Sequence, residues 1–415
     1  MFLLSHQFYA LRKYVALLGL MVATACGGGS NGVASTNETS TGTGCVAGPN
    51  KPIVSATPIS QLPANKRAGA LAAALGKPKQ LLIGLGTIDS ASIQNQAIRP
   101  DIYDTYLNDV GPSSWPNWNS PSGEYVQIWA RSADCFGAVP MYTLYQMATR
   151  GDGNLTGLQD FVFMQGYWAN VRLLFTQLKT YGKPALVNFE PDFCGYNQRI
   201  RSDPNAQFAH VSLVNTDCAD LGDNIAGLSN CLIRMARKYA PNAYIGFPPS
   251  MFGDLAATEL SYFKALGADK ADFITMQTLD RDIGCIEAAY SLSGANCNRN
   301  FNASALKLWD ESNRTSPNFS EHFAVASKFS TELGLPLIWW QTPLGVASST
   351  FGGSVNAFRD NRVRYFLTHA SEIVAAGGLG VVFSAGHGTQ TNINTDGGQF
   401  RTLHKNYLAS PAVLP

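Results

Sequence analysis

From Lys79 onward the chain alternates short apolar runs with longer stretches whose apolar residues recur at helical spacing. The runs are Gln80–Gly86, Asp101–Leu107, Ala138–Gln146, Pro184–Glu190, Ala243–Phe247, Ala271–Thr278, Leu335–Thr342 and Gly378–Ala385. Short apolar runs bounded by turn signals predict buried strands. Between them the periodicity predicts helices over Gly157–Leu178, Asn224–Tyr239, Leu255–Leu266, Ser320–Leu333 and Asn356–Ala376. Gly182-Lys183-Pro184, Ala240-Pro241-Asn242, Gly334-Leu335-Pro336 and Gly377-Gly378 fall at strand starts, where helix C-caps and short connections belong. Alternation of strand and helix gives an α/β fold with a parallel sheet, and eight strands match a (β/α)8 barrel with long loop insertions. A doubly wound open sheet is the competing arrangement, but no G-x-G-x-x-G opens a helix after the first strand. Asp101 and Asp104 interrupt the second strand. Residues 110–136, with Trp115, Trp118 and several Ser, Pro and Gly, are expected to form a loop insertion.

The N-terminus follows a different rule. Arg12 and Lys13 precede an apolar run from Tyr14 to Ala25 that is too short to span a bilayer. A basic start, a short apolar segment and small residues before a break describe a secretory signal over residues 1–25. Ala23-Thr24-Ala25-Cys26-Gly27 resembles the bacterial lipobox, although Ala23 departs from the usual Leu. That resemblance implies an exported lipoprotein whose lipidated first residue is Cys26, anchored to the cell envelope; an ordinary signal peptide cut after Ala25 is the other reading. Gly27 stands where an inner-membrane retention signal would place Asp, which by the same resemblance favours the outer membrane. Residues 26–50 are rich in Gly, Ser and Thr and read as a flexible tether, leaving 51–415 for a single barrel domain.

Composition narrows the partners. With 30 basic and 29 acidic side chains the net charge is +1, so no electrostatic footprint for nucleic acid is present. Charged residues are 14% and aromatics 11%, which leaves long, uncharged loops bearing rings, a surface compatible with carbohydrate. Eight cysteines fit an exported, oxidising setting. With Cys26 set aside an odd number remains, so at least one is unpaired or pairs elsewhere. Cys285 with Cys297 is the first expected pair, and Cys218 with Cys194 or Cys231 the next. No C-x-x-C or clustered His is present and no G-x-S-x-G elbow follows a strand, so neither a metal, a cofactor nor a serine nucleophile is expected.

Candidate chemistry gathers at strand ends, where barrel enzymes carry it. The fourth strand stops abruptly and delivers Asn188, Glu190 and Asp192. Alternation places Leu186, Asn188 and Glu190 on one face, toward the lumen. The sixth strand runs into Gln277, Asp280, Arg281 and Asp282, the seventh ends in Trp339, Trp340 and Gln341, and the eighth leads to Ser384 and His387. Parity from a lumen-facing Gln341 puts Trp339 on the ligand side. Each has a plain structural alternative. Asp192 after Pro191 can be a turn residue, Asp280 to Asp282 a salt-bridged loop, and the loop tryptophans packing residues.

An Asn and a Glu closing the fourth strand of a barrel resemble the TIM-barrel glycoside hydrolases, in which that Glu is often the acid/base. The resemblance spans Lys79 to Leu408 and implies hydrolysis of a glycosidic bond in an oligo- or polysaccharide. One carboxyl must stay protonated at working pH while a second acts opposite it. Glu190 is the implied acid, with Asp192, Asp280 or Asp282 as partner. Asn188, Tyr196, Gln277, Trp339, Gln341 and His387 are the implied substrate contacts. Gln341 occupies the place where one large clan has a nucleophilic Glu, so that role does not carry over. Two other readings follow from the same residues: a non-catalytic glycan-binding lipoprotein on a barrel scaffold, and a barrel hydrolase of another linkage such as a phosphodiester.

Overall fold

The computed structural model describes residues 59–278, 283–289, 308–347, 355–385 and 390–415, all within one compact unit, Thr41–Pro415. Eight parallel strands close into a barrel in sequence order: β1 Leu82–Gly86, β2 Ile102–Asn108, β3 Val139–Tyr145, β4 Ala185–Phe189, β5 Ala243–Phe247, β6 Phe273–Gln277, β7 Leu337–Pro343 and β8 Gly378–Ser384. Closure runs through β8 and β1, from Leu82↔Gly380 to Gly86↔Ser384. Around it, among the described residues, lie α1 Ala64–Ala74, α2 Ser90–Asn95, α3 Glu124–Phe136, α4 Phe161–Tyr181, α5 Phe193–Ile200 and α6 Ile225–Tyr239. They continue as α7 Glu259–Leu266, α8 Ile283–Ala289, α9 Phe319–Leu333, α10 Arg362–Thr368, α11 Ala370–Ala375 and α12 Gln399–Ala409. The fold is a (β/α)8 TIM barrel.

Side-chain alternation divides the apolar residues into two cores. Ile83, Leu85, Tyr103, Val187, Phe189 and Ile245 point outward beneath the helices. Leu82, Ile102, Met141, Leu186, Phe273 and Ile338 fill the lumen. Helix α1 seals the amino-terminal end, where Ala68, Leu71, Ala72 and Leu75 pack with Leu414 on the lumen residues. Gly69 makes that closure possible, since a Cβ there would lie 2.3 Å from the Pro415 carbonyl oxygen. Toward the carboxyl end the lumen turns polar, with Asp104, Thr143, Asn188 and Thr275 all buried.

Each predicted run contains a strand. Residues 110–136 depart from the loop expected for them: after a short turn at Trp115–Asn117 the segment forms helix α3. Its buried face is Val126, Ala130, Ala133 and Phe136, recurring at helical spacing behind a stretch of Ser, Pro and Gly that reads as loop. The stretch expected as one helix over 356–376 is divided at His369 into α10 and α11. Helix α4 begins at Phe161 because the Asp160 side chain accepts from the Phe163 N–H, a standard N-cap.

Cys218 and Cys231 are bonded across a separation of 13 residues. Cys135 and Cys285 are also disulfide-bonded, while Cys194 is a free, buried thiol. Cys297 lies outside the described residues. No described helix is long and apolar enough to cross a membrane.

Candidate active site at the carboxyl end of the barrel

The polar part of the lumen is one connected network. The Asp104 carboxylate on β2 accepts from the Thr143 hydroxyl on β3 at 2.9 Å and from the Trp340 indole N–H on β7 at 3.1 Å. The Asn188 side-chain amide on β4 points at the same Thr143 oxygen at 3.5 Å, and the Thr275 hydroxyl on β6 donates to the Asn188 carbonyl at 2.8 Å. Five strands thus meet through side chains. Asp104 fits because Gly86 faces it from β1, where a Cβ would stand 3.1 Å from its Oδ2. Asp104 is 1% exposed, and burial pushes its carboxyl up to about 7 against the opposing hydrogen bonds of Trp340 and Thr143.

Rings, amides and carboxylates cover this network. The Tyr106 ring lies 5.7 Å from that of Trp340 and 6.1 Å from that of Tyr145. Gln341 donates its side-chain N–H to the Tyr106 hydroxyl, and the Tyr145 hydroxyl donates to Asp152. On the β4 side, the Gln277 amide approaches Asp192 Oδ1 at 3.4 Å. Burial first, then Asp152 and then Asp192 push the Tyr145 hydroxyl up, so Asp192 and Tyr145 sense each other across the mouth. Among the described residues no group of three His, Cys, Asp or Glu is placed to hold a metal ion.

Backbone strain concentrates here too. Thr87, Asp109, Glu190, Asp192 and Gln341, all at or just past the carboxyl ends of strands, have φ between 51° and 68°. Non-glycine residues rarely adopt this conformation, and where they do they tend to mark functional sites.

That strain also redirects two side chains away from the positions parity predicts. At Glu190, φ of 52° turns the carboxyl out of the lumen. One oxygen accepts the backbone N–H of Gln146 at 3.1 Å and of Met147 at 3.0 Å, both in the connection after β3. The other side of the group faces a cavity bordered by Phe189, Cys194, Ser229 and Phe247, between β4 and α6. Glu190 is 2% exposed, and burial raises its carboxyl to about 8, opposed by the Met147 and Gln146 N–H groups and the Tyr167 hydroxyl. Glu259 on α7 repeats the arrangement. It accepts the Ser250 and Met251 N–H groups after β5 and is likewise raised by burial, to about 7.

The second redirection is in β7, where the register with β8 shifts between Trp339 and Thr342 and Gln341 has φ of 51°. Trp339, expected on the ligand side, is therefore fully buried outside the barrel, its indole N–H donating to His322 Nε2 at 2.8 Å. Its neighbour Trp340 takes the lumen side.

Of the other predicted contacts, Asn188 is in the lumen network, and Gln277, Gln341 and Asp192 meet at the mouth. Tyr196 is half-buried at the rim, packing on Phe252 at 5.4 Å. Asp280, Asp282, His387 and Cys26 lie outside the described residues. Sequence reasoning missed Asp104 and Tyr106 and put Trp339 rather than Trp340 on the lumen side. The available signal was a carboxylate and a ring at lumen parity, two and four residues after Ile102.

The fold and its mouth define a (β/α)8 barrel with an aromatic, amide and carboxylate site at the carboxyl face. No protein-family profile matches the chain, and no curated protein matches it in sequence. Solved structures it resembles include several barrel glycoside hydrolases and a phospho-2-dehydro-3-deoxyheptonate aldolase. The endoglucanase Cel5A of Thermotoga maritima is 9% identical over 84% of this chain and 99% of its own, with a TM-score of 0.47. A GH5-4 broad-specificity endoglucanase from an uncultured bovine rumen ciliate is 10% identical over 83% and 99%, at 0.46. The β-1,4-mannanase of the sea hare Aplysia kurodai is 12% identical over 81% and 95%, at 0.38. At these values the likeness is one of barrel architecture.

Proposed function

We propose that the chain is a glycoside hydrolase that binds an oligo- or polysaccharide across the carboxyl-terminal mouth of the barrel. The observation that carries this reading is the convergence there of the Tyr106 and Tyr145 rings, backed by the buried Trp340, with the Gln277 and Gln341 amides and the Asp192 carboxylate. Aromatic faces match the C–H faces of sugar rings, planar amides match vicinal hydroxyls, and carboxylates supply the acid and base of glycosidic cleavage.

Asp192 is the carboxylate that acts on the substrate in this proposal, and its partner is Asp280 or Asp282. Gln277 bonds Asp192. A carboxyl separation of ~5 Å would give retention and ~6.5–9.5 Å inversion. Glu190 enters as a positioning residue, which fixes the connection after β3 and the strained turn that carries Asp192.

The test is the folded domain, residues 46–415, incubated with β-1,4-linked gluco-, manno- and xylo-oligosaccharides within a wider glycan panel, with products followed by mass spectrometry. New reducing ends are expected. Retained glycan without any product at any pH supports the second reading, a glycan-binding protein. The tie of Glu190 into backbone N–H groups favours that second reading.

For localisation we propose export and lipid anchoring through Cys26, with the tether holding the barrel off the envelope, supported by the signal features of residues 1–27. Replacing Cys26→Ser should abolish incorporation of labelled palmitate in a bacterial host and release the domain to the soluble fraction. Unchanged labelling would refute the anchor.

A further inference from the structure

We infer that Asp104 is a positioning residue that holds the buried Trp340 indole and, through it, Tyr106 and Gln341, which form the preformed platform on which a sugar ring is bound. This rests on the glycan reading above and adds the residue that builds its binding surface.

A carboxyl 1% exposed inside a barrel is expensive to bury, and an apolar residue would fill the space without that penalty. What Asp104 provides is two acceptor oxygens in fixed directions. Oδ2 takes the Trp340 indole N–H, and Oδ1 takes Thr143, which the Asn188 and Thr275 side chains follow in turn. The indole is thereby pinned at its polar atom from below.

Trp340 immediately precedes Gln341, whose left-handed backbone turns the chain at the strand end. The pinned ring lies against Tyr106, and the Tyr106 hydroxyl receives the Gln341 amide, so the contacts close on themselves: Asp104, Trp340, Tyr106, Gln341. A ring and an amide held this way lose little rotamer freedom when ligand arrives, which favours affinity. The platform therefore suits a flat ligand with a C–H face and hydroxyls at its edge, a pyranose in an oligosaccharide.

The groups facing Asp104 are Trp340 from β7, Thr143 from β3 and Gly86 from β1. The Tyr125 hydroxyl of α3 senses its charge, and none of these is a cation. Its ionisation should thus be felt directly by the indole.

Two measurements on the folded domain test the inference. The first is Trp emission against pH in wild type, Asp104→Asn and Trp340→Phe. A transition with midpoint near pH 7 is expected in wild type and in neither variant, and its persistence in Asp104→Asn overturns the coupling. The second is calorimetric binding of the oligosaccharides named above. Asp104→Ala should weaken binding at least tenfold, and Asp104→Asn, which keeps an acceptor for the indole N–H, should restore it to within about threefold. Equal binding by wild type and Asp104→Ala overturns the platform and leaves the glycan reading standing. Absence of binding by wild type overturns the glycan reading and the sugar role of Asp104 together. An unfolded Asp104→Ala leaves the emission titration to decide.

Discussion

Asp192→Asn is expected to lower kcat/KM on a cleaved glycan by about 10²–10⁴-fold, the range typical for removal of a general acid or base, whereas Glu190→Gln should stay within about fivefold. The contrast follows from where the two carboxylates sit. Asp192 is half-buried at the mouth beside Gln277 and within electrostatic reach of Tyr145. Glu190 is turned outward, and its Oε2 accepts two backbone N–H groups. A glutamine can place its carbonyl oxygen at Oε2 and its amide toward Tyr167, so the clamp survives. Glu190→Ala cannot do so. It orphans two buried N–H groups and enlarges an existing cavity, at a cost of about 2–4 kcal/mol. Steady-state kinetics and thermal unfolding on the three variants separate the roles. Loss of turnover in Glu190→Gln with Asp192→Asn active would return Glu190 to the role of acid and refute the assignment proposed for Asp192.

The arrangement also shows what could be read from the chain. All eight strands were legible as short apolar runs, a signal set by burial on both faces. Helix α3 was not, because the Gly, Pro and Ser residues from Gly111 to Gly123 made the whole segment read as a loop. The site was legible as a place and less so as a set of atoms. Strand-end logic located Asn188, Asp192, Gln277 and Gln341 correctly at the carboxyl end. Parity failed at Glu190 and Trp339, and for one reason. Alternation assumes extended backbone, but Glu190 is itself left-handed and Trp339 was placed by parity from Gln341, which is left-handed too. Neither is glycine, so the usual marker of such a conformation was missing. Asp104 was overlooked because a carboxylate within an apolar run reads as an interruption of the strand. In a barrel lumen it can instead be the partner for a buried indole.

Those same buried acids predict an unusual dependence of stability on pH. Asp104, Glu190 and Glu259 are raised by burial to about 7, 8 and 7. Each holds its proton in the folded state over a range where the unfolded chain, with carboxyls near 4, has released it. The folded state then binds more protons, and stability falls as pH rises, by about 1.4 kcal/mol per pH unit for each proton so held. Two histidines act in the opposite sense. Burial lowers His322 to about 3 and lowers His404 as well, so both stay neutral when folded and cost stability as pH falls below about 6.5. Below that point the two effects oppose each other and the curve should be shallow. Between pH 6.5 and 8 only the carboxyls contribute, and the melting temperature should drop steadily. Glu190→Gln carries no titrating group at this position and should flatten the slope, becoming more stable than wild type at pH 8. A wild-type melting temperature that is constant or rises from pH 6.5 to 8 would mean that the backbone N–H groups facing Glu190 and Glu259 outweigh burial and keep both carboxylates charged. The clamps would then strengthen with pH, and Glu190→Gln would be the less stable protein throughout the neutral range.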